Sequence, residues 1–320
     1  MNAIFSRVSR FCTAQSLIPE NAALVIGLSG GPDSVFLLHF LAHVQEEKRL
    51  TLIAAHLNHE WRIEAENDEQ LCKELCQKLG IRLISKKMSE LTLNLKFNGS
   101  KEEIGRKARR QFFETVAKEH NAHAIAVAHH ADDQMETFFI RLIRGASLAG
   151  LAGMKPKDGL YIRPLLGIKK AEVLEYLHAH QILYAIDASN QSDEYLRNRI
   201  RNSVIPALKL SDERFDASFA STNEQLQQTE EFLQLLAKKT FEEISANNEI
   251  DIAKLLALHP ILRTRVIIFW LRQAKVPFVP SQGLFDEMNR FLQKPSTGEH
   301  VFYGKWQVVK HHKLAQIKIK

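Results

Sequence analysis

Short, mostly apolar runs recur through the first half of the chain, each followed by a helical pattern. Ala23 to Leu28 (ALVIGL), Leu52 to Leu57 (LIAAHL), Ile81 to Ile84 and Ala124 to Ala128 (AIAVA) read as strands. Helical patterns follow at Val35–Gln45, at Glu64–Leu79 with its stop at Gly80, at Lys101–Glu119 and at Ala131–Arg144. Strands this apolar need cover on both faces, which strand–helix alternation supplies. The pattern therefore predicts an α/β fold with a doubly wound, mainly parallel sheet. In such sheets ligands bind beyond the carboxyl ends of the strands.

A further strand is expected at Tyr161–Leu166 and a helix at Lys169–His180, with Arg144–Pro156 as a Gly- and Ala-rich loop near the active face. The character changes after Leu210. A long Gln/Glu-rich helix at Asn223–Ala246 precedes helices near Leu262–Gln273 and Leu284–Leu292, then strand-like stretches at Val301–Tyr303 and Trp306–Val309. The 320 residues thus divide into a catalytic domain over 1–210 and a smaller, mainly helical domain over 211–320.

Lys and Arg number 43 against 37 Asp and Glu, a net charge of +6. That mild basic excess suits a nucleic-acid partner or a slightly basic cytoplasmic enzyme. The three cysteines, Cys12, Cys72 and Cys76, are too few for a disulfide framework and point to a reducing compartment. No run of 18 apolar residues occurs, so no membrane span is expected.

The segment Ser29-Gly30-Gly31-Pro32-Asp33-Ser34 joins the first strand to its helix. Two glycines let the backbone approach a phosphate, and the helix start adds its positive end. Ser29 and Ser34 can donate hydroxyls, and Pro32 suits a first helical turn. The anionic Asp33 cannot hold phosphate directly; it makes sense as a Mg²⁺ ligand. Neither a Walker lysine nor GxGxxG is present. At the fourth strand's end, His129-His130-Ala131-Asp132-Asp133-Gln134-Met135-Glu136 places Asp133 and Glu136 three apart, on one helix face. Acids at a helix start also stabilise the helix itself.

SGGPDS after ALVIGL resembles the PP-loop ATP pyrophosphatases, which cleave ATP between the α and β phosphates and adenylate a carbonyl oxygen. More blocks follow in order: His56-Leu57-Asn58-His59, Glu102 to Arg109 (EEIGRKAR), Arg144-Gly145, Arg163 to Leu166 (RPLL), Asp187 to Asn190 (DASN) and Tyr195 to Arg201 (YLRNRIR). Together they resemble the tRNA(Ile)-lysidine synthetase family, in a short form without the additional C-terminal domain of longer members. The resemblance implies ATP and Mg²⁺ as co-substrate and cofactor, with free L-lysine and an isoleucine tRNA with a CAU anticodon as partners. No membrane is involved, and a homodimer is an open option. It implies ATP binding by Ser29–Ser34 and His56, and Asp33 on the metal. Asp133 and Glu136 would lie near the lysine or the activated base, with His130 and Arg106 near the AMP phosphate or the base. Asp132, Arg109, Arg144, Arg197, Arg199 and Arg201 fall in the substrate or tRNA set. The last three read equally as backbone contacts or as structural ion pairs.

Four departures stand out. The family segment usually reads HxNHGLR, but Glu60 and Trp61 occupy the Gly and Leu positions here, with Arg62 retained. Gly105 stands where Ala is usual, and Arg110 where an aromatic is usual. The basic, aromatic tail (Tyr303, Lys305, Trp306, Lys310, His311, His312, Lys313, Lys318, Lys320) can hold RNA or protect an edge hairpin. The alternatives are a tRNA thiolase, which needs a CxxC pair where this chain has C-x3-C, and a non-catalytic tRNA-binding relative.

Overall fold

A computed structural model describes residues 3–61, 65–92, 101–186 and 196–320. Arg62, Asp187–Asn190 and Tyr195 lie outside the described residues. The chain forms two compact units, 1–220 and 221–320.

The first unit begins with helix α1 (Ala3–Ala14), not anticipated from sequence, and strand β1 (Ala23–Gly27). Then come α2 (Pro32–Lys48), β2 (Thr51–Asn58), α3 (Ala65–Lys78), β3 (Arg82–Lys87), α4 (Lys101–Glu119), β4 (Ala124–Ala126) and α5 (Ala131–Ile143). The expected loop after α5 contains a one-turn helix, α6 (Leu148–Leu151); β5 (Lys157–Asp158), β6 (Tyr161–Ile162) and α7 (Lys170–Ala179) follow. The sheet order is β3-β2-β1-β4-β6-β5, parallel throughout except for the β5–β6 pair.

Both faces of this sheet are covered, as the apolar runs require. Leu24, Ile26, Leu52 and Ala54 pack with Val35, Phe36, Phe40 and Leu41 of α2. Val25, Ile53, Ala55, Leu57 and Ile125 point the other way, onto Phe112, Phe113 and Val116 of α4. Each fully buried aliphatic or Phe side chain contributes about 1.5–3 kcal/mol. The chain steps from β1 outward to β2 on one side and returns to β4 on the other. The strand order reverses between β1 and β4, which puts a crevice at their carboxyl ends.

One continuous helical stretch carries α8 (Leu196–Arg199), a π-turn at Ile200–Val204, and α9 (Ile205–Ser211). Pro206 has no N–H to give to the preceding turn, and the wider turn accommodates it. This stretch packs on α5 through Met135, Ile200 and Ile205, with Phe139, Phe215 and Phe219 around them. Phe215 and Phe219 belong to α10 (Phe215–Ile244). The division at 220 therefore falls inside α10, beyond Leu210: the first turns of α10 are held by α5 aromatics, with Phe138 and Phe219 edge to face at 5.2 Å.

The second unit combines helices with a small sheet. Strands β7 (Ser245–Ala246) and β8 (Glu249–Asp251) precede α11 (Ile252–Ala257), α12 (Pro260–Gln273) and α13 (Gln282–Gln293); β9 (Gly298–Tyr303), β10 (Trp306–His311) and β11 (Leu314–Ile319) close the chain. They form an antiparallel five-stranded sheet, β7-β8-β11-β10-β9. β10 is an inner strand, and its Lys310 is buried. The Lys310 ammonium donates to the carbonyls of Phe291, Leu292 and Lys294 at the end of α13. A cation there satisfies orphan carbonyls and the negative helix end. Lys310 thus leaves the basic surface set named from sequence.

Lys310→Ala is expected to destabilise the second unit by about 1–3 kcal/mol, since buried carbonyls lose their donor. Thermal or urea unfolding of the protein checks this; an unchanged midpoint would show the contact to be dispensable.

Candidate functional site at the carboxyl ends of β1 and β4

The loop Ser29–Ser34 leaves β1 and turns at once into α2. Gly30 sits at φ +84°, a conformation that costs a side-chain-bearing residue energy. Gly31 caps α2 and Pro32 opens it. The two serines brace the turn: Ser34 Oγ donates to the Gly31 carbonyl at 2.9 Å and lies 3.1 Å from Ser29 Oγ. His56, expected among ATP-binding residues, is buried. Its Nδ1–H donates to the Leu28 carbonyl at 3.0 Å, at the root of the loop, which leaves Nε2 enclosed without a partner among the described residues.

Across the crevice, His130 caps α5. The Asp133 N–H donates to His130 Nδ1 at 3.4 Å, while Asp133 Oδ2 accepts the His130 N–H at 3.0 Å. An accepting Nδ1 places the ring proton on Nε2, which lies 3.7 Å from Asp33 Oδ1 and 3.4 Å from Asp133 Oδ2. One imidazole therefore stands between the carboxylate of the phosphate loop and that of α5. Burial opposes ionisation of Asp133, but His130, Arg197 and His129 outweigh it and hold the carboxyl below its usual range.

Glu136, 1% exposed, takes Arg197 Nε on Oε2 at 2.6 Å and Arg201 Nε on Oε1 at 2.5 Å. Arg197 also reaches Asp133 Oδ1 at 2.7 Å. Of the two readings of Arg197 and Arg201, the structure realises the ion pairs. Their four-residue spacing on the α8–π–α9 stretch points both at α5. Arg199 is exposed, as are Arg106 and Arg109 on α4 and Arg144 at the end of α5. None of these four is drawn into the Asp133–Glu136 cluster.

Sequence reasoning missed Lys170, at the first turn of α7. Its ammonium lies 2.6 Å from both Asp33 oxygens, and its backbone N–H donates to Asp132 Oδ2 at 2.8 Å. Lys209 reaches Asp132 at 3.4 Å and Asp216 at 3.2 Å. The only signal for Lys170 was its place shortly after RPLL; no local pattern marks a lysine that acts across 137 residues.

The departures beside the loop prove to be coupled. Glu60 adopts φ +56°, the region a glycine would enter freely. Its Oε2 accepts the Ser89 N–H at 2.8 Å and its N–H donates to Asn58 Oδ1 at 2.9 Å, which hold the turn. Trp61 stacks on His59 at 4.5 Å and lies against Gly105. A Cβ on residue 105 would fall 2.3 Å from Trp61 Cη2, so the indole as placed sits where that side chain would be and would have to shift for it. The His59 pKa is lowered to about 4 by burial and by Arg109, and that of His129 to about 4 by burial.

The cysteines are free and buried, and burial pushes the Cys12 thiol up to about 12 and the Cys76 thiol to about 11. Such thiols are poor nucleophiles at neutral pH.

A PP-loop domain family matches residues 3–208, and a TilS substrate binding domain family matches residues 250–314. The tRNA(Ile)-lysidine synthase of Bacillus cereus (strain ATCC 10987 / NRS 248) is 31% identical over 322 residues, covering 95% of this chain and 67% of the relative. That of Bacillus subtilis (strain 168) is 36% identical, covering 91% of this chain and 63% of the relative. The chain thus spans about two thirds of the length of these relatives. Among solved structures, the U34-tRNA thiolase NcsA from Methanococcus maripaludis with its 4Fe-4S cluster shares the fold, with TM-score 0.60 and 22% identity over 70% of this chain and 78% of that chain.

Gly105→Ala is expected to lower stability by about 1–3 kcal/mol through overpacking. In a Trp61→Leu background the same change becomes neutral or stabilising, because alanine favours the helix over glycine. A double-mutant cycle by thermal unfolding measures the coupling; additive effects would refute it. For pH, a His129 held neutral to about 4 binds fewer protons when folded than when unfolded. Stability therefore rises with pH between about 4 and the ordinary histidine value of 6.5. The melting temperature of His129→Gln should rise less steeply than wild type over that window; parallel curves would refute the assignment.

Proposed function

The chain belongs to the tRNA(Ile)-lysidine synthase family, and on that premise we propose that it converts the wobble cytidine of a CAU-anticodon isoleucine tRNA to lysidine, using ATP and free lysine. The enzyme is a ligase forming a carbon–nitrogen bond. The observation that carries the reading is a juxtaposition: His130 stands between Asp33 of the phosphate loop after β1 and a buried, arginine-held pair of carboxylates on α5.

In this reading the N–H groups of Gly30 and Gly31, the Ser29 and Ser34 hydroxyls and the start of α2 hold the phosphates that leave. The C2 carbonyl oxygen of the cytidine attacks the α-phosphorus; the new P–O bond forms as the bond to the β-phosphate breaks, and pyrophosphate departs. The neutral ε-amine of lysine then attacks C2. The C–N bond forms, the C–O bond to AMP breaks, and a proton leaves the amine.

Asp133 is the group assigned to the lysine. It is ionised at neutral pH, and at 8% exposure it is the more accessible of the two acids. Glu136, enclosed and held on both oxygens, keeps Arg197 and Arg201 in place. His130 Nε2–H faces the point where loop and α5 meet, suited to a phosphate oxygen.

A magnesium ion fits this donor set. Among the described residues no three His, Cys, Asp or Glu side chains cluster as a metal site. Mg²⁺ is ordinarily held by one or two carboxylates together with substrate phosphates, and Asp33 supplies one such carboxylate. The ion would neutralise charge on the departing pyrophosphate. The exposed Arg106, Arg109, Arg144 and Arg199 and the second unit are assigned to the tRNA.

The test is incubation with labelled lysine, ATP, Mg²⁺ and a CAU-anticodon isoleucine tRNA transcript. Label is expected at the wobble base, with AMP and pyrophosphate formed; a folded protein that transfers none refutes the reading. Asp33→Asn is expected to keep tRNA affinity near wild type and to slow AMP formation about a hundredfold or more, as loss of several kcal/mol of charge stabilisation implies. Equal loss of tRNA binding would remove the metal role from Asp33.

A further inference from the structure

We propose that Lys170 is a placeholder cation for Asp33: it occupies the carboxylate while the site is empty, and passes to the nucleotide phosphates as the metal takes its place. The proposal rests on Asp33 being the metal carboxylate. Three observations carry it. The Lys170 ammonium sits 2.6 Å from both Asp33 oxygens, the position a cation must take to bind that carboxylate. A free metal ion therefore has to displace it.

The Lys170 backbone is held independently of its head. Asp132 Oδ2 pins the backbone N–H at 2.8 Å, so the start of α7 stays in place when the side chain moves. The side chains of Lys170 and Asp33 are 33% and 26% exposed. A half-buried, charge-assisted contact of this kind contributes about 1.5–3 kcal/mol, which a metal ion on the same carboxylate can replace.

The destination lies close by. Asp33 is the second residue of α2, within the loop assigned above to the departing phosphates. A flexible four-carbon stem whose head already reaches Asp33 can reach an anion bound to that loop. Charge then orders the events. With the pair closed, a lone divalent cation meets a neutralised carboxylate. When the metal arrives with a polyphosphate, the phosphates accept the displaced ammonium. Metal loading is thereby coupled to nucleotide loading.

Manganese in place of magnesium makes this measurable, because the paramagnetic resonance signal of free Mn²⁺ disappears on binding. Wild type, Lys170→Met, Lys170→Arg, Asp33→Asn and the Lys170→Met/Asp33→Asn double variant are titrated without nucleotide and with α,β-methylene ATP. Circular dichroism confirms that each is folded. Without nucleotide, Lys170→Met is expected to bind Mn²⁺ about tenfold tighter than wild type, Lys170→Arg like wild type, and the double variant without the gain. With the analogue, Lys170→Met is expected to bind the metal–nucleotide pair about tenfold more weakly. Unchanged nucleotide-free Mn²⁺ affinity in Lys170→Met overturns the proposal. If Asp33→Asn still weakens the metal–nucleotide complex in that case, the metal role of Asp33 survives. If Asp33→Asn leaves that complex unchanged, the metal reading itself falls, and the placeholder with it.

Discussion

The ion pairs on Glu136 govern how this site is assembled. A carboxylate 1% exposed to solvent loses nearly all its hydration, and an unpaired charge at that depth costs several kcal/mol. Arg197 and Arg201 both answer it, and Arg197 extends to Asp133. That requirement fixes the α8–α9 stretch onto α5 in one register, since a slip of one residue would turn the arginines away. The apolar contacts of Ile200 and Ile205 with Met135 and Phe139 set the distance; the arginines set the rotation. Removal of one arginine would leave a buried charge half satisfied, which is why a pair of guanidinium groups on consecutive turns suits the place better than a single one.

The parallel sheet was legible because its physics is local. Apolar runs of strand length followed by amphipathic helices admit few arrangements, and the reversal between β1 and β4 follows from connecting them. The loop and the acids of α5 were legible for the same reason: glycines, a proline and two carboxylates one turn apart carry their constraints in adjacent residues. Lys170, Lys209 and the pairing of Arg197 with Glu136 were not. Their meaning depends on which element lies opposite, and a lysine at the start of a helix carries no mark of the aspartate it will meet. The antiparallel sheet of the second unit was half visible. β9 and β10 showed as alternating stretches, while the two-residue β7 and three-residue β8 are too short to carry a period.

The departures at Glu60, Trp61 and Gly105 show how a motif can change without losing its shape. Taken singly, a glutamate in a left-handed turn and an indole in place of a smaller side chain are both costly. The turn at Glu60 is held by Ser89 and Asn58, and the bulk of Trp61 is matched by the missing Cβ of Gly105 on another element. Trp61 in turn supports the ring of His59, which burial keeps neutral. Sequence displayed four departures; the structure joins Trp61 and Gly105 into one packing contact, balances Glu60 with two hydrogen bonds, and pairs Arg110 with Glu114.

Charge balance explains why so acidic a crevice can accept an anionic nucleotide. Asp33, Asp132, Asp133, Glu136 and Asp216 are answered by Lys169, Lys170, Arg197, Arg201 and Lys209, each in a direct ion pair. The two sets match in number, five acids to five bases. A polyphosphate added to that balance demands new positive charge or a change of partner. The pairs differ in how readily they can change. Those on Glu136 are anchored in a carboxylate shut off from water and are costly to open, whereas both partners of the Asp33–Lys170 pair are only half-buried. The site therefore has a fixed half, which holds its shape, and an exchangeable half on the phosphate loop, where a ligand's charge can enter without disturbing the rest.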